Sequence, residues 1–281
     1  MALKKEYNSF LDEFGRNRQT ALLMWELSTF EALYLNNLDT AVQILEEVVS
    51  YAGVNKNLVA EAKLDMGDYL FMLGNIWDAT LLYSQVDKEM KEGELGEKAR
   101  FRNAMLSYYN GDFEWSQEQF DILKTATSKL ISNDAIDMSV FIMDNLGLDT
   151  TDVPLKMFAQ SDQLIFQNRF DEAFQKMDSI LVLFPEHGLE DDILYNKANI
   201  FVQQRKYDKA VEAYTKVIEN FPEEIRMDNS LFELAELYEN VLNQKDKAQA
   251  LYEQLFLDYS GSTYAIEARK RYRILRGDDI Q

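Results

Sequence analysis

The chain has no cysteine in its 281 residues, which excludes disulfides and thiolate metal sites. Proline occurs three times and glycine eleven times, too few for the many tight turns of an all-β protein. The single histidine, His187, follows Pro185 in a loop. No nucleophile or carboxylate partner is legible for it, so it reads as a loop residue and not as a catalytic base. Basic residues are scarce: 29 Lys and Arg against 49 Asp and Glu leave a formal net charge of −20. Such a field repels nucleic-acid phosphates and anionic membrane surfaces, so a nucleic-acid partner is not expected. No stretch approaches the ~18 consecutive apolar residues of a membrane span. The opening "MALKKEYNSFLDEFG" turns polar where a secretory signal would carry its apolar core. Also missing are a calcium-loop spacing, a His–Glu zinc pattern and a glycine-rich phosphate loop, so neither a metal nor a cofactor is expected.

What is present is a folded, helix-forming composition. Hydrophobic residues make up 47% of the chain, and Leu, Ala, Glu, Lys, Gln and Met dominate most segments. Residues 168–185, "NRFDEAFQKMDSILVLFP", return as "RKYDKAVEAYTKVIENFP" at 205–222, 37 residues later. Extending that register outward gives units starting near Leu22, Ala60, Glu97, Pro154, Asp191 and Asp228. Each has a small residue in its second helix: Ala41, Ala79, Ser116, Ala173, Ala210 and Ala248. Ala248 falls one residue late, which the longer turn "NVLNQKD" explains. Each unit reads as two amphipathic helices; Leu194, Ala198 and Phe201 form one stripe, and Ala210, Tyr214 and Val217 the other. Only a small side chain lets two antiparallel helices approach closely at such a point. Pro185 and Pro222 punctuate the junctions between units.

Residues 126–153 break the pattern with one helix-like segment near Asn133–Leu146, and Gly147 is a plausible C-cap. The expected organisation is therefore an N-terminal block at 1–125, a half-repeat at 126–153 and a C-terminal block at 154–281. The final "STYAIEARKRYRILRG" fits a helix capping the end of a stack.

A small residue at position 8, Ala at 20, an aromatic at 24 and Pro at 32 resemble the tetratricopeptide repeat signature. Gly67, Gly74, Ala79 and Tyr83 carry it here, with Trp25 and Ala41, and with Ala198, Phe201, Ala210, Tyr214 and Pro222. The resemblance implies an all-α, right-handed α-solenoid of about six helix pairs, one inter-repeat helix and a capping helix. It also implies a non-catalytic scaffold that binds a protein or peptide. The "FP" unit ends and "DYSGSTYAIEARKRYRILRG" look like exported repeat proteins of Gram-negative bacteria. The whole looks like the C-terminal half of a larger one with no assigned activity, which implies a periplasmic location with the signal upstream. The alternative location is cytoplasmic.

In such arrays, first-helix positions 2, 5, 9 and 12 line a concave groove. By resemblance the groove candidates are Phe30, Leu64, Asp68, Phe71, Phe101, Met105, Tyr108, Tyr195, Asn199, Phe232 and Glu236. Aromatics and Met alternating with carboxylates suit a segment with apolar anchors and basic residues; the other reading is that several pack between helices. Capture of a C-terminal carboxylate needs Lys and Asn at positions 5 and 9. The pairs Leu64/Asp68, Phe101/Met105, Phe158/Asp162, Tyr195/Asn199 and Phe232/Glu236 do not supply them. Glu190, Asp191 and Asp192 read as charge at a helix N-terminus, the other reading being weak cation binding; the basic run Arg269–Arg276 reads as charge at a helix C-terminus, the other reading being a dock for an acidic partner or for another copy. The alternative functions are a carbohydrate- or small-ligand-binding solenoid, or a helical enzyme with an unrecognised site. A glycan site needs exposed tryptophan or tyrosine, whereas Trp25, Trp77 and Trp115 occupy positions that suggest packing. Finally, Leu3, Tyr7, Phe10, Leu11 and Phe14 exceed what one packing face needs. The native protein is expected to continue upstream with further repeats, and this end to be capable of self-association.

Overall fold

A computed structural model describes residues 2–146, 151–185 and 187–278. Among them the chain forms fifteen α-helices and no strand. They begin with α1 (Ala2–Phe14), then α2 (Ala21–Leu33) with α3 (Leu38–Ser50), and α4 (Lys56–Met72) with α5 (Ile76–Glu89). α6 (Glu94–Tyr109) and α7 (Phe113–Leu123) precede the single helix α8 (Lys129–Leu146). α9 (Val153–Phe166) and α10 (Phe170–Leu183) are followed by α11 (Glu190–Gln203) with α12 (Tyr207–Asn220). α13 (Met227–Glu236), α14 (Lys245–Asp258) and α15 (Ala265–Arg276) end the chain. This is the expected α-solenoid of successive antiparallel helix pairs. Gly147, expected to cap α8, lies outside the described residues.

The six small residues that define the register are all fully buried. Across from them, position 8 of the first helices carries Gly67, Ala104, Ser161, Ala198 and Ala235; the last four are fully buried too. At Gly67 the crossing is tightest. A Cβ placed there would lie 2.4 Å from Cε1 of Tyr83 on α5. The helices therefore meet backbone to ring, the closeness that small residues permit.

A second regularity sits five residues before each small residue, in the turn within each pair. Asn36, Gly74, Gly111, Asn168, Arg205 and Asn243 all have positive φ, from 51° at Asn36 to 88° at Gly74. This left-handed residue lets the next N–H reach back to the helix it leaves, as Lys206 N does to Phe201 O at 2.8 Å. The last pair differs. α13 runs on into a π-turn over Leu237–Val241, where Leu242 N donates to Leu237 O at 3.0 Å. The late position of Ala248 thus arises partly inside the helix, and not only from a longer "NVLNQKD" turn; a π-turn adds one residue without breaking the hydrogen-bond ladder.

The chain packs as two compact units: residues 1–144 with 162–169, and residues 145–161 with 170–281. In the first, Leu11, Met24, Leu27, Leu45, Val48 and Met66 form one apolar core, and Leu64, Phe71, Tyr83, Val86 and Leu106 another. In the second, Tyr214, Leu234 and Leu237 pack together, and Leu231, Tyr252 and Leu255 form the neighbouring core. Asp191 and Asp192 do begin α11, as expected of helix N-terminal charge, but both are buried and not solvated. Asp192 accepts from Arg226 Nε at 2.6 Å and from Asn145 Nδ2 at 3.3 Å. The basic run is largely neutralised within its own unit. Arg271 faces Glu267, Glu239 and Glu236, while Arg273 and Arg276 pair with Asp278 beyond the left-handed cap Gly277.

Candidate functional site

Leu64, Asp68, Phe71, Phe101 and Met105 converge on one cavity of about 520 Å³ in the first unit. They come from two successive first helices, α4 and α6, whose residues one turn apart share a face. The cavity is closed by residues outside the expected positions: Trp25 from α2, Leu130, Ile131 and Asp134 from α8, and Phe166 from α9. Helix α8 thus contributes a wall. Asp65 and Arg102 stand at the sixth position of their helices and Tyr109 at the thirteenth of α6, each one residue past an expected groove position. A stripe wider than four positions in the sequence register would have included them.

The polar wall is internally organised. Tyr83 Oη donates to Asp68 Oδ1 at 2.7 Å. Arg102 grips the same carboxylate in a fork, Nε to Oδ1 at 2.8 Å and Nη2 to Oδ2 at 2.7 Å. A bidentate guanidinium of this kind fixes orientation as well as charge. Trp25 Nε1 donates to Asp65 Oδ2 at 2.7 Å, so this indole packs beside the cavity with its polar edge satisfied. Burial, with the Asp68 charge adding a smaller push, carries the Asp65 carboxyl up to about 6 despite that hydrogen bond. Burial also raises Asp134, with Asp137 contributing. Four carboxylates, Glu61, Asp65, Asp68 and Asp134, face two cations, Lys98 and Arg102, and Arg102 is engaged by Asp68. Apolar anchorage comes from Phe101, Met105 and Leu130 beside the stacked Phe71 and Tyr109 rings, whose centroids are 5.4 Å apart.

The remaining groove candidates are placed elsewhere. Tyr108 is fully buried, its hydroxyl donating to Asp162 Oδ2 at 2.7 Å. Phe30 is half-buried and stacks on Tyr34 at 5.4 Å. In the second unit Tyr195 lies under the Arg226 guanidinium at 5.3 Å, and Asn199 accepts from the Tyr214 hydroxyl. Phe232 is buried and stacks on Tyr264 at 4.7 Å, while Glu236 faces Arg271 at 3.8 Å. These four are held by neighbours in their own unit and do not converge on the cavity.

One expectation is overturned. Trp77 and Trp115 do not pack between helices: Trp77 is 87% exposed and Trp115 42% exposed. Both fall in the first turn of a second helix, where the rings project away from the small-residue crossing. Among the described residues no group of three His, Cys, Asp or Glu is disposed to hold a metal, and no helix is long and apolar enough to cross a membrane.

Comparison with known families finds two matches, both to models described as tetratricopeptide repeat. One covers residues 192–224, the α11–α12 pair, and the other covers 229–262, the α13–α14 pair. A search of curated proteins returned no match.

Proposed function

We propose that this chain, which carries tetratricopeptide repeats, is a non-catalytic scaffold that binds a protein segment in the first-helix groove of its first unit. Repeats of this kind point to protein interaction in general. The observation that carries the finer reading is the convergence of Leu64, Asp68, Phe71, Phe101 and Met105 on one cavity with carboxylates in excess. Such a lining suits an extended or helical segment that inserts an apolar side chain beside Phe101 and Met105. Lys or Arg next to that anchor would meet Glu61, Asp65 and Asp134. The four candidates of the second unit are proposed as a lesser part of the same function, since their polar groups are already engaged.

The cell-envelope location is proposed on the resemblance of the unit ends and the final helix to exported repeat proteins. Self-association is proposed through α1, where Leu3, Phe10 and Phe14 are exposed and the two phenyl rings lie 4.4 Å apart; a second copy would cover that strip.

The experiment is selection from a displayed peptide library. Selected sequences are expected to combine an aromatic or aliphatic anchor with flanking Lys or Arg, and to bind more weakly as salt rises. Phe101→Ser with Met105→Ser should weaken them at least about tenfold while leaving helicity intact. Selected peptides that bind the folded double variant as tightly as the parent would sink the reading.

A further inference from the structure

We propose that the first unit carries a second binding site, formed by α5, α6 and α7, for an uncharged oligosaccharide stacked on Trp77 and Trp115. Two indoles left this open are unusual, since tryptophan is highly buried on average. They stand in the first turns of successive second helices, two residues before Ala79 and one before Ser116. Both line a single cavity of about 740 Å³. That size lies within the range of specific small-molecule sites and accommodates a few sugar residues. Phe71, Leu106 and Tyr109 line both this cavity and the groove, so a partition of side chains separates the two.

The wall chemistry selects the ligand class. Ser84, Ser107, Asn103, Asn110, Gln119 and Gln163 supply neutral hydroxyls and amides that both donate and accept, beside the Asp87–Arg100 ion pair and the Asp112 carboxylate, which can accept from further ring hydroxyls. A pyranose matches this arrangement. Its ring hydroxyls meet the amides, and its flat C–H faces lie on the indole faces, which carry partial negative charge. An anionic ligand finds no free cation among the described residues of the wall, because Arg100 is held by Asp87 at 2.7 Å, and it would meet the Asp112 carboxylate. A cationic peptide is better served by the groove, where carboxylates outnumber cations. The wall is also incompletely satisfied. Asn103 Nδ2 reaches Ser84 Oγ at a long 3.3 Å, and Asn103 Oδ1 is buried without a hydrogen-bond partner. An acceptor left in that state is costly, and a ligand hydroxyl admitted by a small side-chain rotation would relieve it.

This inference is independent of the peptide reading. The test is indole fluorescence of the full chain, titrated with cellohexaose, xylohexaose, mannohexaose, maltohexaose and chitohexaose, with hexagalacturonate as the charged control. At least one neutral hexasaccharide should shift the emission and protect it from iodide, with a dissociation constant below about 10 mM. Trp77→Ala and Trp115→Ala should each weaken that binding about tenfold or more, and Trp77 is so exposed that its loss should leave the fold intact. Added salt and the Phe101→Ser, Met105→Ser variant should leave sugar binding unchanged. The proposal is overturned if no neutral hexasaccharide shifts the emission at concentrations up to about 10 mM, or if one that does binds the folded double tryptophan variant equally well. It is equally overturned if the groove-selected peptides, and not the sugars, protect Trp77 and Trp115 from iodide.

Discussion

Gly67 offers the sharpest test of how the repeats are held together. A Cβ at this position would stand 2.4 Å from Cε1, 2.9 Å from Cζ and 3.0 Å from Cδ1 of Tyr83. Tyr83 cannot simply swing aside, because it is fully buried and its hydroxyl is fastened to Asp68 at 2.7 Å. Overpacking of this kind costs about 1–3 kcal/mol. Against it stands the better helix propensity of alanine, a gain of about 1 kcal/mol in a helix interior. The net expectation for Gly67→Ala is a loss of up to about 2 kcal/mol. The α11–α12 pair carries Ala198 opposite Tyr214, so a methyl and a tyrosine are not incompatible in principle. The clash belongs to the closeness with which α4 and α5 have settled. The assay is urea unfolding followed by circular dichroism in two backgrounds, wild type and Tyr83→Leu. With the ring removed only the propensity term remains, and Gly67→Ala should then stabilise by up to about 1 kcal/mol. A change of sign between backgrounds is the signature. Stabilisation by Gly67→Ala in the wild-type background would refute the close crossing.

Two further perturbations test the turn within the helix pairs and a buried acid. Arg205 is exposed and holds φ at 57°, where asparagine or glycine stands in the other five pairs. Arg205→Gly should remove a left-handed penalty of about 1–2 kcal/mol and add about 0.5–1 kcal/mol of unfolded-state entropy. A net gain near 0.5–1 kcal/mol in denaturant unfolding is expected, and a loss would show that the turn makes no such demand. Asp191 is buried, its Oδ2 lacks a hydrogen-bond partner, and burial followed by the Asp192 charge pushes it up to about 7, opposed by a hydrogen bond from the Asp192 backbone N–H and by Arg226, with Glu224 assisting. A carboxyl raised above its ordinary value favours the fold when protonated. Its contribution is whole below about pH 4 and is lost as pH rises through about 7, with a ceiling near 4 kcal/mol. Asp191→Asn should match the wild type at pH 4 and exceed it in stability at pH 8. A difference that did not grow with pH would contradict the assignment.

Much of the architecture was legible in the residue order because the repeat is enforced locally. Ala41, Ala79, Ser116, Ala173, Ala210 and Ala248 mark helix crossings where any larger side chain would force the helices apart, so their spacing reports the pairing directly. The positive-φ turn residues were equally periodic, but Arg205 hid the rule, since nothing in an arginine announces a left-handed backbone. The groove was legible only in part. The resemblance to the repeat family placed Leu64, Asp68, Phe71, Phe101 and Met105 on one face, yet it could not reveal that α8 and Phe166 line the cavity or that Tyr108 turns inward to Asp162. Those outcomes depend on which helices, distant in sequence, come to lie beside that face. The same holds for the tryptophans: one residue of register decides whether a ring at the start of a helix enters the crossing or faces water. The charge of Asp191 also depends on tertiary structure, because it lies at a helix start where acids are ordinarily solvated, and only the packing of Arg226 against Asp192 encloses it. Sequence alone determined the repeat and the helices; burial, closure and protonation were decided by which surfaces those helices bring together.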